Sequence, residues 1–291
     1  MTDNRRCIMT VVSADWYQHI IPLFIRSMRR WGEGVDTRIY IRGEADAITN
    51  NCMRVLEEFA VTKGNDYLQT LEPDTYGTGI SSTNAARFLH CDPELLDYDY
   101  VLIVDIDLLL FNDPFLYHIT HMAQSGERFA GHHGPLHKPR RPEVCPAWQG
   151  PFERVAGGFF CVTPEWYVMT AKQRIIHAHD LKKGITGWWR ESDEVILARI
   201  IKGCDRNVPT NKYFPPELRG VHLGDFREDM RHRWTNLTKM HDKLTADNCR
   251  AFCDIEKDSC WQEMLDILKG DTILSKILEN VRIHCKERGI Q

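Results

Sequence analysis

Tyr100-Val101-Leu102-Ile103-Val104-Asp105-Ile106-Asp107-Leu108-Leu109-Leu110-Phe111 is an apolar run of strand length broken only by two aspartates. An unbroken run, rather than an alternating one, means burial on both faces, as in a central parallel strand. A charge buried without a partner is costly, so Asp105 and Asp107 must lie at the strand's end or face a cation. Residues two apart on a strand share a face. This reading therefore puts both carboxylates on one side, at the carboxyl end, where open α/β sheets bind ligands. Two carboxylates so placed make a hard-oxygen site for Mg²⁺ or Mn²⁺, completed by substrate phosphate. The plainer alternative is a strand end with two solvated acids, since a D-x-D triplet is short.

Working outward, strand-like and helical stretches alternate, which is the α/β pattern. Residues 7–12 read as a first strand. A helix follows from Ile20 to Trp31, with Arg26, Arg29 and Arg30 on its polar face. Thr37–Ile41 is a short strand and 44–60 a helix. A loop rich in Thr, Gly and Ser runs from Asp74 to Thr83 and leads into a helix carrying Asn84, Arg87 and Phe88. Beyond the central strand, residues 131–152 hold five prolines and read as a long loop, the kind that often serves as a lid or binding loop. Val155–Val162 is a buried strand opened by Gly157 and Gly158. Residues 165–180 and 192–202 read as helices, Val221–Gly224 as a short strand or turn, and everything from Met230 as helical. The expected architecture is α/β: one domain over 1–229, with a mixed, mostly parallel sheet flanked by helices, and a C-terminal helical tail over 230–291 packed on it.

Composition narrows the classes. With 291 residues, 43% of them hydrophobic and 27% charged, the chain can bury a substantial core and is not disordered, collagenous or coiled coil. Its 41 acids against 37 bases, net −4, argue against nucleic acid as a partner held by bulk charge. No apolar run approaches the ~18–20 residues that span a bilayer, so no transmembrane segment is expected. Cys7–Val12 is too short and too β-branched for a signal-peptide core. Ten cysteines in such a chain read as reduced thiols, and the expected location is cytoplasmic. Gly77-Thr78-Gly79 lacks the third glycine of a dinucleotide fingerprint. His177 and His179 are two apart on a helix and face different ways. Cys249, Cys253 and Cys260 lack zinc-site spacing.

The stretch 101–107, followed by Phe111-Asn112-Asp113-Pro114, resembles the D-x-D strand of glycosyltransferases with the GT-A (Rossmann-like) fold. The order of the other elements is most similar to the glycogenin-like family 8 group. Ser13-Ala14-Asp15-Trp16-Tyr17 matches that group's T-x-D-x-x-Y-like loop, with a Trp placed before the Tyr. Arg87 matches the basic residue on the helix preceding the D-x-D, and Val155–Phe160 loosely matches an F-N-x-G-like strand. Asp193-Glu194 stands where the group has D-Q. His222-Leu223-Gly224-Asp225-Phe226-Arg227 resembles its H-x-x-G-x-x-K element, one residue tighter and with Arg.

The resemblance implies a hexosyltransferase of the EC 2.4 class using a nucleotide diphosphate sugar, a UDP-sugar first among them. Mn²⁺ (or Mg²⁺) would be held by Asp105, Asp107 and His222. Arg87 would hold the diphosphate or a sugar hydroxyl, with Asp105 also touching the donor. Asp15 and Tyr17 would sit near the base, Gly157 and Gly158 would let the sugar approach the backbone, and Arg227 would assist Arg87. Asp193, with Glu194 second to it, would stand near the reacting carbon, although a helix cap is an equally suitable task for Asp193. Retention of anomeric configuration is the implied outcome, and the acceptor is a glycan, protein or small molecule. Two other readings stand beside it. One is a sugar-nucleotide nucleotidyltransferase, against which Val12–Trp16 lacks the glycine- and base-rich phosphate loop. The other is a non-catalytic nucleotide-sugar-binding protein of the same fold.

Overall fold

The structure is a computed structural model. It describes residues 4–62, 66–77, 80–131, 158–183, 193–204, 220–230 and 244–290. Gly157, all of the loop read over 131–152 except Gly131, and residues 231–243 lie outside these.

The chain runs β1 (Arg6–Ser13), a 3₁₀ turn (Trp16–His19), α1 (Ile20–Met28), β2 (Val35–Arg42), α2 (Ala47–Glu58), β3 (Asp66–Leu71), α3 (Ile80–Leu89) and β4 (Tyr100–Val104). It continues through β5 (Leu108–Leu109), α4 (Phe115–Ser125), β6 (Phe129–Gly131), β7 (Phe159–Val162), α5 (Pro164–Lys183), α6 (Asp193–Lys202) and β8 (Val221–His222). The described helices of the C-terminal part are α7 (Ala246–Ile255), α8 (Ser259–Leu268) and α9 (Thr272–Glu287). Among the described residues, six strands form one sheet in the order β3-β2-β1-β4-β7-β6. The first four are parallel; β7 runs antiparallel to both β4 and β6. This is the mixed, mostly parallel sheet flanked by helices that the sequence leads one to expect.

Strand alternation splits the interior into two cores. Ile8, Val12, Ile39, Ile41, Leu102 and Val104 point to one face, where α1, α2, α4 and α7–α9 cover them. Cys7, Met9, Val11, Tyr40, Val101 and Ile103 point to the other, under α3, α5 and α6. Both faces are covered, which is why the central run carries no polar alternation. The C-terminal helices thus share a core with α1 and α2. The nine described cysteines are all free thiols. Among the described residues, no helix is long and apolar enough to cross a membrane.

The structure corrects the reading of the central run. β4 stops at Val104, so Asp105 and Asp107 lie in a turn rather than on one face of a strand. The Asp105 N–H donates to the Gly158 carbonyl at 3.0 Å, and the Leu108 N–H returns to the Asp105 carbonyl at 3.3 Å. Leu108 and Leu109 then pair antiparallel with His222 and Val221 in a separate two-stranded sheet. Gly220 lets β8 come this close: its φ is +69°, and a Cβ there would lie 1.9 Å from the Leu109 carbonyl oxygen. The helix after Asp74–Thr83 begins earlier than read, at Ile80. α4, unread in the sequence, is preceded by Asp113, whose Oδ1 accepts the Phe115 N–H at 2.8 Å, and ends at Gly126 with φ +71°.

Candidate functional site

The site forms where β4 ends. The turn after β4 carries Asp105 and Asp107, and β8 brings His222 opposite Leu108. A 2.7 Å bond from the Leu223 N–H to the Asp107 carbonyl fixes these two segments together. One carboxylate oxygen each of Asp105 and Asp107 and one nitrogen of His222 lie within 4.8 Å of one another. His222 Nε2 stands 3.3 Å from Asp107 Oδ1, and its Nδ1 stands 3.3 Å from Asp225 Oδ2. Two carboxylates and an imidazole backed by a further carboxylate are a donor set suited to Mn²⁺ or Mg²⁺. The space around the acids is kept clear by glycine. A Cβ on Gly158 would lie 2.4 Å from Asp105 Oδ2, and one on Gly224 would lie 2.4 Å from Asp107 Oδ2. The residues present therefore fit a divalent cation.

Charge is balanced tightly here. Burial alone would lower the His222 pKa, but the Asp107 and Asp225 carboxylates overcome it and push it up to about 10. Burial raises the Asp105 carboxyl, against the pull of Arg87. Burial pushes Asp107 the same way, yet the His222 charge outweighs it and holds Asp107 below the ordinary carboxyl value. The imidazolium thus supplies positive charge to the acid pair.

Arg87 connects this group to α6. It projects from the last turn of α3, buried, with its guanidinium over the Phe88 ring. Its Nη1 donates to Asp105 Oδ1 and its Nη2 to Asp193 Oδ2, both at 2.8 Å. Asp193 opens α6, where a helix N-terminus favours an acid, and Glu194 is the next residue of that turn.

A second group lies beside the first. An open cleft of about 850 Å³ is lined by Ser13, Asp15, Trp16 and Tyr17 after β1, Asn84 of α3, Arg227–Asp229, and residues of α9. Asp15 Oδ1 accepts the Tyr17 N–H at 2.9 Å and so caps the 3₁₀ turn. The Tyr17 hydroxyl accepts from Arg227 Nη1 at 2.8 Å, and Arg227 also forks onto Asp229 at 3.0 and 2.6 Å. Burial, and then the field of Asp107, push the Tyr17 hydroxyl up to about 12, so the cleft adjoins the acid pair.

Of the residues singled out in the sequence, Asp105, Asp107, His222, Arg87, Asp193 and Gly158 come together, and Asp15, Tyr17 and Arg227 gather in the adjoining cleft. Gly157 lies outside the described residues. Sequence reasoning missed Asp225, whose only signal is its place three residues after His222, and it missed Gly224 and the α9 wall.

No protein-family profile matches the chain, and no curated protein does either. Solved structures do. A structure titled as the apo form of WbbM, a bifunctional glycosyltransferase, superposes with a TM-score of 0.50 at 11% identity, over 92% of this chain and 52% of that one. The chain thus spans about half the length of WbbM. An active-site mutant of LgtC gives a TM-score of 0.43 at 18% identity, over 68% of this chain and 71% of that one. The mannosyltransferase PcManGT from Pyrobaculum calidifontis, in complex with GDP-Man and Mn²⁺, gives 0.43 at 12%, over 98% and 75%. The chain has the GT-A fold.

Proposed function

We propose that the protein is a metal-dependent glycosyltransferase that moves a hexose from a nucleotide diphosphate sugar, a UDP-hexose first among the donors, with retention of configuration. The glycogenin-like group is the family reading we favour. The observation that carries the proposal is the convergence of Asp105, Asp107 and His222 at the end of a parallel strand, beside a cleft large enough for a nucleotide. A glycan, protein or small molecule would accept the sugar. Residues 1–229 would be the catalytic domain and 230–291 an extension of it. The free thiols fit a reducing compartment such as the cytoplasm.

Each residue has a task under this reading. Asp105, Asp107 and His222 would hold Mn²⁺ or Mg²⁺, which when bound neutralises the charge that develops on the leaving diphosphate. Asp225, whose carboxylate lies 3.3 Å from Nδ1, would orient the His222 ring from behind. Arg87 has a planar fork suited to phosphate and sugar oxygens, and it orients Asp193 beside the acid pair. Asp193 would face the reacting carbon, with Glu194 behind it. Gly158, and Gly157 with it, would let the donor sugar approach the backbone. Asp15, Tyr17 and Arg227 would line the nucleoside end, with Arg227 near the diphosphate.

Asp107→Ala tests the reading directly. The Asp107 contact that joins the turn to Leu223 is a backbone bond, so the variant should fold. We expect Mn²⁺-dependent turnover of the donor to fall by at least about a thousandfold, the scale on which loss of a key electrostatic stabiliser is felt. Near-wild-type turnover by Asp107→Ala, or by the wild type in EDTA, would remove the metal from the account.

A further inference from the structure

The cleft beside the acid pair has two walls of different origin. One is the 3₁₀ turn after β1, where Trp16 and Tyr17 stack with ring centroids 4.1 Å apart and planes 30° apart. The other is the first half of α9, which presents Thr272, Ile273, Lys276, Ile277 and Asn280 to the same space. Ile273 is left 49% exposed, an apolar surface in the same cleft as the aromatic pair. Lys276 Nζ is 2.6 Å from Glu228 Oε1, which sets a donor and an acceptor side by side at the rim. A cleft of about 850 Å³ whose lining mixes aromatic and aliphatic side chains with many polar and charged ones suits an amphipathic ligand such as a nucleotide, with a planar base at one end and polar oxygens along the rest.

The wall is held in place before any ligand arrives. Asp271 caps α9 by accepting the Ile273 and Leu274 N–H groups, each at 2.9 Å. Its other oxygen takes a 2.6 Å bond from His19 Nδ1, at the end of the turn that carries Trp16. Asn280 Nδ2 donates to the Phe226 carbonyl at 2.9 Å, which ties α9 to the segment that follows His222. Arg227 and Tyr17, bonded to each other, lie on the side of the cleft nearest the acid pair, where Tyr17 feels the charge of Asp107.

We propose that α9 is a wall of the nucleoside subsite, with Ile273 covering the base opposite Trp16 and Lys276, held by Glu228, donating to nucleoside oxygens as a specificity-determining residue. This rests on the donor reading given above. It makes the C-terminal helices part of the donor site, with the diphosphate over the acid pair and the nucleoside lying between two parts of the chain far apart in sequence.

The test is calorimetric titration of the full chain, in Mn²⁺, with UDP, GDP and ADP in turn and with inorganic pyrophosphate. It is run on wild type, Lys276→Met and Ile273→Ala, with thermal melts of all three. Both substituted residues are partly or largely solvent-facing, so the variants should fold. Lys276→Met should weaken binding of the preferred nucleoside diphosphate roughly tenfold, the order a charged hydrogen bond is worth. Ile273→Ala should weaken it several-fold. Pyrophosphate binding should stay within about twofold in both. Unchanged nucleotide affinity in both variants overturns the α9 wall and leaves the donor reading standing. Equal losses for nucleotide and pyrophosphate overturn the nucleoside assignment. A wild type that binds pyrophosphate as tightly as any of the three nucleotides has no nucleoside subsite. A wild type that binds none of them sinks the donor reading, and the α9 wall with it.

Discussion

His222 is set between two carboxylates, Asp107 and Asp225, each 3.3 Å away, and its pKa is raised to about 10. Below that value the metal-free ring carries its proton, whereas a metal ligand must be the neutral imidazole. Mn²⁺ therefore competes with a proton at this residue. Apparent Mn²⁺ affinity should rise with pH between 6 and 9, by up to about tenfold per unit for one proton displaced, and His222→Gln should flatten the slope. Titration calorimetry in buffers of different ionisation enthalpy counts the proton directly. An affinity independent of pH in the wild type would take His222 out of the site. At this scale much was legible. Asp105 and Asp107 stood out because acids inside an apolar run demand a reason, and Arg87 because of its place before them. Asp225 was barely legible, since its spacing of three from His222 is its only local signal and its role exists only once β8 pairs with β5.

The elements that build the site are joined by short polar clamps. His19 is the clearest, because one imidazole ties two helix N-caps. Nδ1 meets Asp271, the cap of α9, at 2.6 Å, and Nε2 meets Asp46, the cap of α2, at 2.7 Å. Burial alone would lower the His19 pKa, but the bonds to Asp271 and Asp46 raise it above its ordinary 6.5. Burial would likewise raise Asp46, yet its bonds from Thr49 and His19 lower it below its ordinary 3.8. The signs follow. The His19 contribution is complete below pH 6.5 and is lost as pH climbs through the raised value. The Asp46 contribution is complete above about pH 4 and is lost as pH falls through the lowered value. His19→Gln should cost about 1–3 kcal/mol at pH 5.5–6, with a gap in Tm from wild type that narrows as pH rises above neutral. A gap that widens with pH would show that the ring works uncharged. Most elements could be read from period and caps, because β1, β2 and α1 carry their own patterns. The turn after Val104 could not be read. Apart from the two aspartates the run stays apolar to Phe111, and the contacts that set the turn, from the Gly158 carbonyl and the β8 strand, are both distant in sequence.

The whole molecule presents a sheet with two covered faces and one chemically loaded end. The sheet class followed from a single strand, because a run buried on both sides requires helices on both sides. What the sequence could not show is how the C-terminal helices lie against this end. Residues such as Ile273 and Lys276 follow an ordinary amphipathic pattern, and nothing local distinguishes a helix that merely covers a core from one that also walls a cleft. The reaction proposed for this end of the sheet is metal-dependent cleavage of a nucleotide sugar. Its most direct test is proton NMR of the wild type with Mn²⁺ and a panel of α-linked UDP-, GDP- and ADP-hexoses, without acceptor, followed from the first minutes. Mn²⁺-dependent release of hexose from a UDP-hexose is expected, stopped by EDTA, with the α anomer formed first and the β anomer arriving only by mutarotation. A β product formed first would contradict retention, and no turnover of any donor by folded, Mn²⁺-loaded protein would contradict the claim itself.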